Sequence, residues 1–174
     1  MDLGLLLVRL VVGAILFAHA TQKLWGWFSG PGITGATTLF HSLGQRPAQI
    51  MVRVAAGCEL LGAALLVAGA ATPLGVLIAV NTMLVAGASL CLLKGTLWNS
   101  AGGGEYPFVL AAMTVVIAFT GPGRWSVDAA MGAWWTSGTE LRGALLGFGV
   151  VAAATVAAAP AVIRTRRVLA AQAP

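Results

Sequence analysis

The chain has 174 residues, of which 59% are hydrophobic and only 9% are charged, and its formal net charge is +5. Because a soluble domain averages about 25% charged residues, this composition excludes a water-soluble globular protein and makes lipid the solvent for most of the surface. A soluble chain this basic would suggest nucleic-acid binding, but basic residues in a membrane protein collect at the cytoplasmic ends of its spans. We therefore predict that the chain lies in the lipid bilayer and that it does not bind nucleic acid.

Apolar segments of transmembrane length divide the chain. The first is too long for the apolar region of a signal peptide, which has about 7–15 residues, and Asp2 stands where such a peptide carries basic residues. A Gly/Pro-rich loop follows it, with a short interfacial turn predicted at residues 37–43. The fourth segment is the shortest, about 22 Å long at the helical rise per residue. The predicted spans are residues 5–27, 48–70, 74–93, 107–120 and 141–163.

All five segments are rich in alanine, leucine and valine, so the predicted fold is all-α, a polytopic bundle of transmembrane helices. We divide it into a four-helix membrane bundle at residues 1–130 and a second part at residues 131–174. The second part holds an interfacial segment, a fifth C-terminal transmembrane helix and the basic tail "RTRR". The segment before the fifth span is amphipathic and rich in tryptophan, as expected at a membrane interface.

The charges on the loops predict an orientation. The side that bears the first loop, the third loop and the C-terminus carries six basic residues: Lys23, Arg46, Lys94, Arg164, Arg166 and Arg167. On the other side, Arg124 and Arg142 are offset by Asp128 and Glu140. The positive-inside rule therefore predicts the N-terminus outside and the C-terminus inside.

Glu59 is the most informative polar residue, because ionisable residues at membrane depth are costly and mark functional sites. It lies about 18 Å along the second helix from Pro47, and Asn81 lies about 20 Å back from Lys94 on the third helix. The two side chains are therefore expected at similar depth on neighbouring antiparallel helices. One interpretation is a polar clamp between helices. The other is that Glu59 accepts protons or contacts quinone, with its charged form disfavoured by burial.

His19, Gln22 and Lys23 end the first span and share one helical face, because they stand at i, i+3 and i+4. Lys23 taken alone is typical of a side chain that extends to the interface, with Trp25 and Trp27 as aromatic anchors. Alternatively, the three side chains reach into a site together with the third loop. In that loop Glu105 is expected to cap the fourth helix, where a carboxylate complements the helix dipole.

Other chemistries find little support in the sequence. His19 and His41 are the only histidines, and His41 lies in a loop, which argues against haem held by two histidines in the bundle. Cys58 and Cys91 lie at different depths and do not predict a dithiol centre. No metal site and no intrinsic cofactor motif are predicted. Arg9, near the start of the first span, is predicted to be interfacial, as are Arg46 and Arg53.

Three stretches, residues 5–35, 55–75 and 93–110, together resemble the DoxX family of small bacterial membrane proteins. The pattern has an early basic residue, His-x-x-Gln-Lys, Gly-Pro-Gly, Ala-Gly-x-x-Glu-Leu-x-Gly, and a loop of the type Asn…Gly-Gly-x-Glu-Tyr-Pro. The matching residues are Arg9, His19, Gln22, Lys23, Gly30, Pro31, Gly32, Glu59, Asn99, Gly103, Glu105, Tyr106 and Pro107. The segment "GRWSVDA" resembles the closing motif, so the resemblance covers about residues 4–130.

The resemblance implies a four-helix bundle in the bacterial cytoplasmic (inner) membrane. Some DoxX proteins are linked to membrane oxidoreductase complexes that handle thiol or oxidative stress. More distantly, the chain is similar to the DoxD-type subunit of thiosulfate:quinone oxidoreductase. These likenesses imply membrane or peripheral redox proteins as partners. The four-helix form of the family would place both termini in the cytoplasm and the polar loops outside, opposite to the orientation predicted from the charges.

Our first interpretation is a redox-associated membrane subunit with a polar intramembrane pocket that binds quinone or a small oxyanion. Glu59 would handle protons and His19 would supply a donor, and these two are the predicted catalytic residues. The predicted ligand-binding residues are Gln22, Lys23, Asn81, Asn99, Glu105 and Tyr106. An electron carrier would come from a partner or from quinone. The competing interpretations are a non-catalytic anchor or scaffold for a partner enzyme and a small transporter; a homo-oligomer is left open.

Overall fold

The five apolar segments are all helical in the structure, a computed structural model that describes residues 2–136 and 139–172. No β-strand occurs in these two ranges, which confirms the predicted all-α class. Single 3₁₀ turns cover Trp27–Ser29 and Asn99–Ala101. The helices are α1 (Asp2–Trp25), α2 (Gly32–Ser42), α3 (Ala48–Ala68), α4 (Thr72–Lys94), α5 (Glu105–Thr120), α6 (Val127–Ala130) and α7 (Glu140–Ala170).

The long helices differ in how well their lengths match a bilayer. α1, α3, α4 and α7 are each long and apolar enough to cross a membrane. α5 has 16 residues, or about 24 Å, which is less than the hydrocarbon thickness of about 30 Å. It nevertheless packs against α4, α7 and α1. The described bundle therefore holds four helices of full spanning length and a shorter fifth one, α5, among them.

Two helices extend further than the sequence predicts. α2 has 11 residues where only a short turn was expected, because it packs against both α1 and α3, and tertiary packing stabilises helices that would be marginal alone. α7 has 31 residues and continues past the predicted end at residue 163. The "RTRR" stretch is thus helical, in keeping with the high helix propensity of arginine.

Small residues bring neighbouring helices into close contact. A side chain on Gly104 would collide with the backbone of Gly87, so α5 begins directly against α4. A side chain on Gly13 of α1 would collide with Val67 of α3. Such close approaches are typical of helix packing in membranes. The buried core between these helices is formed by Val12, Leu16, Ala63, Leu66, Val76, Ala79, Val80, Met83, Leu110, Ala111, Ile117, Ala118 and Ala154.

Short connections make successive long helices antiparallel. α3 ends at Gly69, whose positive φ of 62° closes the helix, and α4 begins three residues later. We call the membrane side on which α1 begins the N side, and the side on which α7 ends the C side. The α3–α4 turn and the segment between α5 and α7 lie on the N side. α2 and the loop between α4 and α5 lie on the C side.

Arg9 is buried, and the prediction that it is interfacial is wrong. Its side chain is 1% exposed and donates to Leu66 O at 2.8 Å, Val67 O at 3.0 Å, Pro122 O at 2.5 Å and Trp125 O at 2.9 Å. The first two carbonyls end α3, where the last carbonyls lack partners within the helix and carry the negative end of its dipole. Arg9 therefore joins α1 to the end of α3 and to the segment that follows α5.

The tryptophan-rich segment after α5 folds against the N-side helix ends. Its only helix in the described residues is α6, with four residues. Asp128 in α6 is buried and accepts hydrogen bonds from Ala71 N at 2.7 Å, Thr72 N at 2.8 Å, Thr72 Oγ1 at 2.6 Å and Trp135 Nε1 at 2.9 Å. Burial alone would raise the pKa of Asp128, but the hydrogen bonds from Thr72, Trp135 and Ala71 outweigh it, so this pKa lies below its usual range. Asp128 thus caps α4 as a carboxylate.

Asp128→Asn is expected to lower the thermal stability of the detergent-solubilised protein at neutral pH, by about 1.5–3 kcal/mol for the loss of charge-assisted hydrogen bonds. Because the folded-state pKa is lowered, the carboxylate contributes fully above the unfolded-state pKa of about 3.9. The difference between wild type and variant should therefore persist down to about pH 4 and shrink only as the pH falls further through the folded-state pKa. Thermal melting from pH 7 to pH 3 measures it. A difference that already shrinks above pH 5 would contradict the lowered pKa.

The arrangement of sides is testable with single cysteines in a background in which Cys58 and Cys91 are replaced by alanine. Ser100 lies in the C-side loop, Met131 is 79% exposed on the N side, and Gln172 follows α7. An impermeant maleimide added to intact cells is expected to label Met131→Cys alone, because the C side carries most basic residues. Labelling of Ser100→Cys from outside would reverse the orientation. Labelling of Ser100→Cys and Gln172→Cys from opposite sides would contradict the bundle itself.

Candidate intramembrane polar site

Lys23 and Glu59 form a buried ion pair between α1 and α3. The Nζ atom of Lys23 contacts Oε1 of Glu59. The Glu59 side chain is 1% exposed and that of Lys23 is 22% exposed. Side chains lean toward the N-terminus of their own helix, so on antiparallel helices Lys23 leans into the membrane and Glu59 leans toward the C side. This geometry directs Lys23 inward instead of toward the interface.

The second oxygen of Glu59 has no partner. Within the described residues, Oε2 of Glu59, Oδ1 of Asn81 and Oγ of Ser89 are buried without a hydrogen bond. Gly62 of α3 faces Ala79 of α4, a register that places Asn81 near the depth of Glu59, but the hydrogen bond of Glu59 goes to Lys23 and none joins it to Asn81. Buried polar atoms normally have a protein or water partner. Oε2 of Glu59 can therefore accept a hydrogen bond from a molecule outside the chain.

His19 and Gln22 form a partly exposed group beside this pair. His19 Nδ1 lies 3.2 Å from Gln22 Oε1, and the His19 ring meets the Tyr106 ring edge-on at a centroid distance of 5.6 Å. A side chain on Gly30 would collide with Gln22, so the Gly-Pro-Gly loop folds back onto α1. Gln22 Nε2 also donates weakly to Phe28 O at 3.4 Å. We call Lys23 and Glu59 the inner pair, and His19, Gln22 and Tyr106 the outer group.

Asn99 and Glu105 organise the C-side loop. The backbone N–H of Asn99 donates to Glu105 Oε2 at 3.0 Å, and the backbone N–H of Glu105 donates to Leu97 O at 2.8 Å. Glu105 is the first residue of α5, where its charge complements the helix dipole. In the part of the chain that the structure describes, no hydrogen bond joins either residue to the inner pair. The loop is thus linked to the polar face of α1 through the Tyr106 ring and not through a hydrogen bond to the inner pair.

Two cavities lie away from this polar site. A cavity of about 1000 Å³ and a smaller one of about 260 Å³ occupy the N side, near the beginning of α4 and α7. Neither is lined by a predicted site residue, and the polar site is instead a partly open face between α1, α3 and α5. Its chemistry therefore rests on the buried charges and not on an enclosed volume. Across residues 2–136 and 139–172, no cluster of three or more histidine, cysteine, aspartate or glutamate side chains is placed to hold a metal ion.

Arg9 and Asp128 are the buried charged residues whose structural importance the sequence did not reveal. Arg9 interrupts the apolar run "LLLVRLVV", and this was the available signal for its burial. Asp128 follows Ser126 in "GRWSVDA", and Ser126 Oγ accepts from Ala129 N at 3.2 Å as the cap of α6. Both residues serve helix ends on the N side, opposite to the inner pair.

The helices, their lengths and their apolar surfaces define a multi-pass membrane protein. The model of the DoxX family matches residues 4–92, just over half of the chain. The chain belongs to the DoxX family. The matched range contains the inner pair together with His19 and Gln22, whereas Tyr106 and the C-side loop lie beyond it. Comparisons with curated proteins and with solved structures found no match.

Proposed function

We propose that this DoxX protein is a redox-associated subunit of the bacterial cytoplasmic membrane, and that the inner pair, approached through the outer group, binds a quinol. The single observation that carries this proposal is the unpartnered Oε2 of Glu59 next to Lys23. A quinol hydroxyl can donate to that oxygen. The Lys23 ammonium has three donors, of which the ion pair with Glu59 uses one, so it can also donate to a ligand oxygen.

A quinol fits this arrangement better than a small oxyanion does. An ionised carboxylate is an acceptor only, and an oxyanion is likewise an acceptor. Placing both charges side by side in a low-dielectric environment would be strongly repulsive. A quinol is neutral, is soluble in the bilayer and can reach the site along the partly exposed His19 and Tyr106 rings. The charges of Lys23 and Glu59 therefore favour a quinol over an oxyanion as the ligand.

When bound, quinol supplies two electrons and two protons as it becomes quinone. Glu59 would accept one proton at Oε2, and Lys23 would hold the ligand oxygen while remaining charged. The second proton would pass from the other hydroxyl to water at the partly exposed edge of the site. His19, hydrogen-bonded to Gln22, would orient the ligand at the partly exposed edge of the site. The electrons would pass to a membrane or peripheral redox protein, and the chain itself would bind the quinol and take up a proton.

The ion pair also supports a second candidate function, a non-catalytic scaffold for a partner enzyme. Lys23 joins α1 to α3, and a contact of this kind can act as a structural clamp without binding any ligand. In that case the unpartnered Glu59 oxygen would be satisfied by water. Ligand binding distinguishes the two candidates.

Titration of the purified protein in nanodiscs with decylubiquinol tests the proposal directly. The double variant Lys23→Met/Glu59→Gln removes both charges and leaves no unpaired ion. It is expected to weaken binding about 10–100-fold, which corresponds to the loss of a charge-assisted hydrogen bond. Lys94→Met, at the exposed end of α4, is the matched control and should bind like wild type. Equal affinity of all three proteins, or no binding by wild type, would contradict the quinol site and leave the scaffold function.

A further inference from the structure

The N-side cavity is partly open to the outside, and the proposed function does not use it. Its volume of about 1000 Å³ is at the upper end of the usual range for ligand sites, about 300–1,000 Å³. The beginning of α4, the end of α5, the segment after α5 and the first turns of α7 surround it. The smaller cavity of about 260 Å³ adjoins it and shares Pro73, Trp134, Trp135, Leu146 and Val150 with it.

The cavity extends from the membrane interface into the hydrocarbon region. Trp134, at its mouth, is 54% exposed, and tryptophan is enriched at the level of the lipid headgroups. Along α7 the lining continues from Arg142 to Val150, a depth of about 12 Å. Phe119 and Leu146 contribute to the inner wall. The mouth is thus at headgroup depth, and the wall below it is apolar.

Four charged residues line the mouth, two of each sign: Asp2, Arg124, Glu140 and Arg142. The guanidinium of Arg142 lies 4.8 Å from the Trp134 ring centroid. Asp2 Oδ1 accepts from the backbone N–H of Arg124 at 2.8 Å. Across the described ranges, no ion pair joins these four residues, and the side chains of Arg124, Glu140 and Arg142 make no hydrogen bond. Charges of both signs are therefore available to a ligand.

We propose that the N-side cavity binds phosphatidylethanolamine. The phosphate would lie against the guanidinium groups of Arg142 and Arg124, which recognise phosphate well. The ammonium would donate to the carboxylates of Glu140 and Asp2. The acyl chains would follow Phe119 and Leu146, with the smaller cavity as the exit toward the bilayer.

The charge pattern selects this headgroup among membrane lipids. An anionic lipid such as phosphatidylglycerol would match the arginines but would leave both carboxylates without a partner. In phosphatidylcholine, methyl groups replace the ammonium N–H donors that the carboxylates need. A quinone is uncharged and would match neither the two arginines nor the two carboxylates at the mouth. The proposal uses no residue of the polar site and is independent of the proposed function.

Competitive lipid retention tests the proposal. The delipidated full-length protein is incubated with equal amounts of phosphatidylethanolamine, phosphatidylcholine and phosphatidylglycerol, and native mass spectrometry measures the lipids that remain bound. Wild type is expected to retain at least about fivefold more phosphatidylethanolamine than either other lipid, about 1 kcal/mol of preference. Ala144→Trp, which places a large ring in the cavity, and the double variant Glu140→Gln/Arg142→Gln should abolish this preference. Arg166→Gln, on the C side, is the matched control and should keep it.

Each alternative outcome overturns the proposal. Equal retention of the three lipids would show that the mouth does not select the headgroup, and a preference for phosphatidylglycerol would show that only the arginines act. Unchanged retention in both cavity variants would place the bound lipid elsewhere. Should Ala144→Trp fail to fold, the charge variant decides the question, because it places no larger side chain in the bundle. Decylubiquinol binding should be unaffected in the Glu140→Gln/Arg142→Gln variant. A negative lipid result would therefore leave the quinol site untouched, and a negative quinol result would leave the lipid site untouched.

Discussion

Glu59→Gln is expected to leave the protein assembled and to lower quinol-linked electron transfer by about 10²–10⁴-fold, the usual effect of losing a catalytic acid or base. Glutamine keeps the shape of the side chain and a carbonyl oxygen for Lys23. Interhelical hydrogen bonds in membranes average only about 0.6 kcal/mol, so the bundle should tolerate the change. The amide, however, cannot accept the proton that a quinol releases. Lys23, 22% exposed, can then extend toward the interface.

Quinol oxidation by native membranes, together with size-exclusion chromatography of the solubilised complex, measures the two effects separately. Lys94→Met is the control, because it removes an exposed charge at the end of α4, outside the polar site. It should retain full electron transfer. An assembled Glu59→Gln protein with wild-type activity would refute the proton role and favour the scaffold function. Loss of assembly together with activity would identify the ion pair as a clamp.

Arg9→Met is expected to give the largest loss of stability of any single substitution considered. The change leaves three carbonyl oxygens, those of Val67, Pro122 and Trp125, without their donor. The Leu66 oxygen keeps the backbone N–H of Gly69 at 3.1 Å. A buried unsatisfied acceptor costs about 1–3 kcal/mol, so a total of about 3–6 kcal/mol is expected after partial relaxation. Arg9→Lys should be intermediate, because a lysine keeps the charge but not the planar set of donors that reaches several carbonyls.

Chemical denaturation in mixed micelles, followed by tryptophan fluorescence, measures the loss. Arg53→Met serves as the control, since Arg53 is exposed on α3 and should change stability by less than about 0.5 kcal/mol. If Arg9→Met were as stable as Arg53→Met, Arg9 would not join α1 to α3. The same would follow if Arg9→Lys behaved like wild type, because one ammonium cannot reproduce the four contacts.

The helices were predictable because their signal is local. Long apolar runs ended by Gly69, Gly95 and Gly121 set the limits of α3, α4 and α5 to within a few residues. α2 was underestimated because its stability comes from packing against α1 and α3, which is not a local property.

The contacts of the polar residues were less predictable. Spacing placed His19, Gln22 and Lys23 on one face, but it could not specify which helix that face meets. The pairing of Lys23 with Glu59 follows from the opposite lean of side chains on antiparallel helices, and it requires knowing that α1 is the neighbour of α3. Arg9 was misjudged for the same reason. Its depth was readable from the sequence, whereas the carbonyls of α3 that surround it were not.

α1 is attached to α3 at two places that respond differently to protons. Arg9 holds the end of α3 by two carbonyls and the segment after α5 by two more, and its guanidinium stays charged at any physiological pH. Fourteen residues further along α1, about 21 Å away, Lys23 holds Glu59, whose attraction for it depends on the carboxyl being ionised. A proton taken up by Glu59 therefore weakens only the second attachment. We expect α1 to pivot about its contacts at Arg9. Protonation of Glu59 would then move the Trp25 end of the helix.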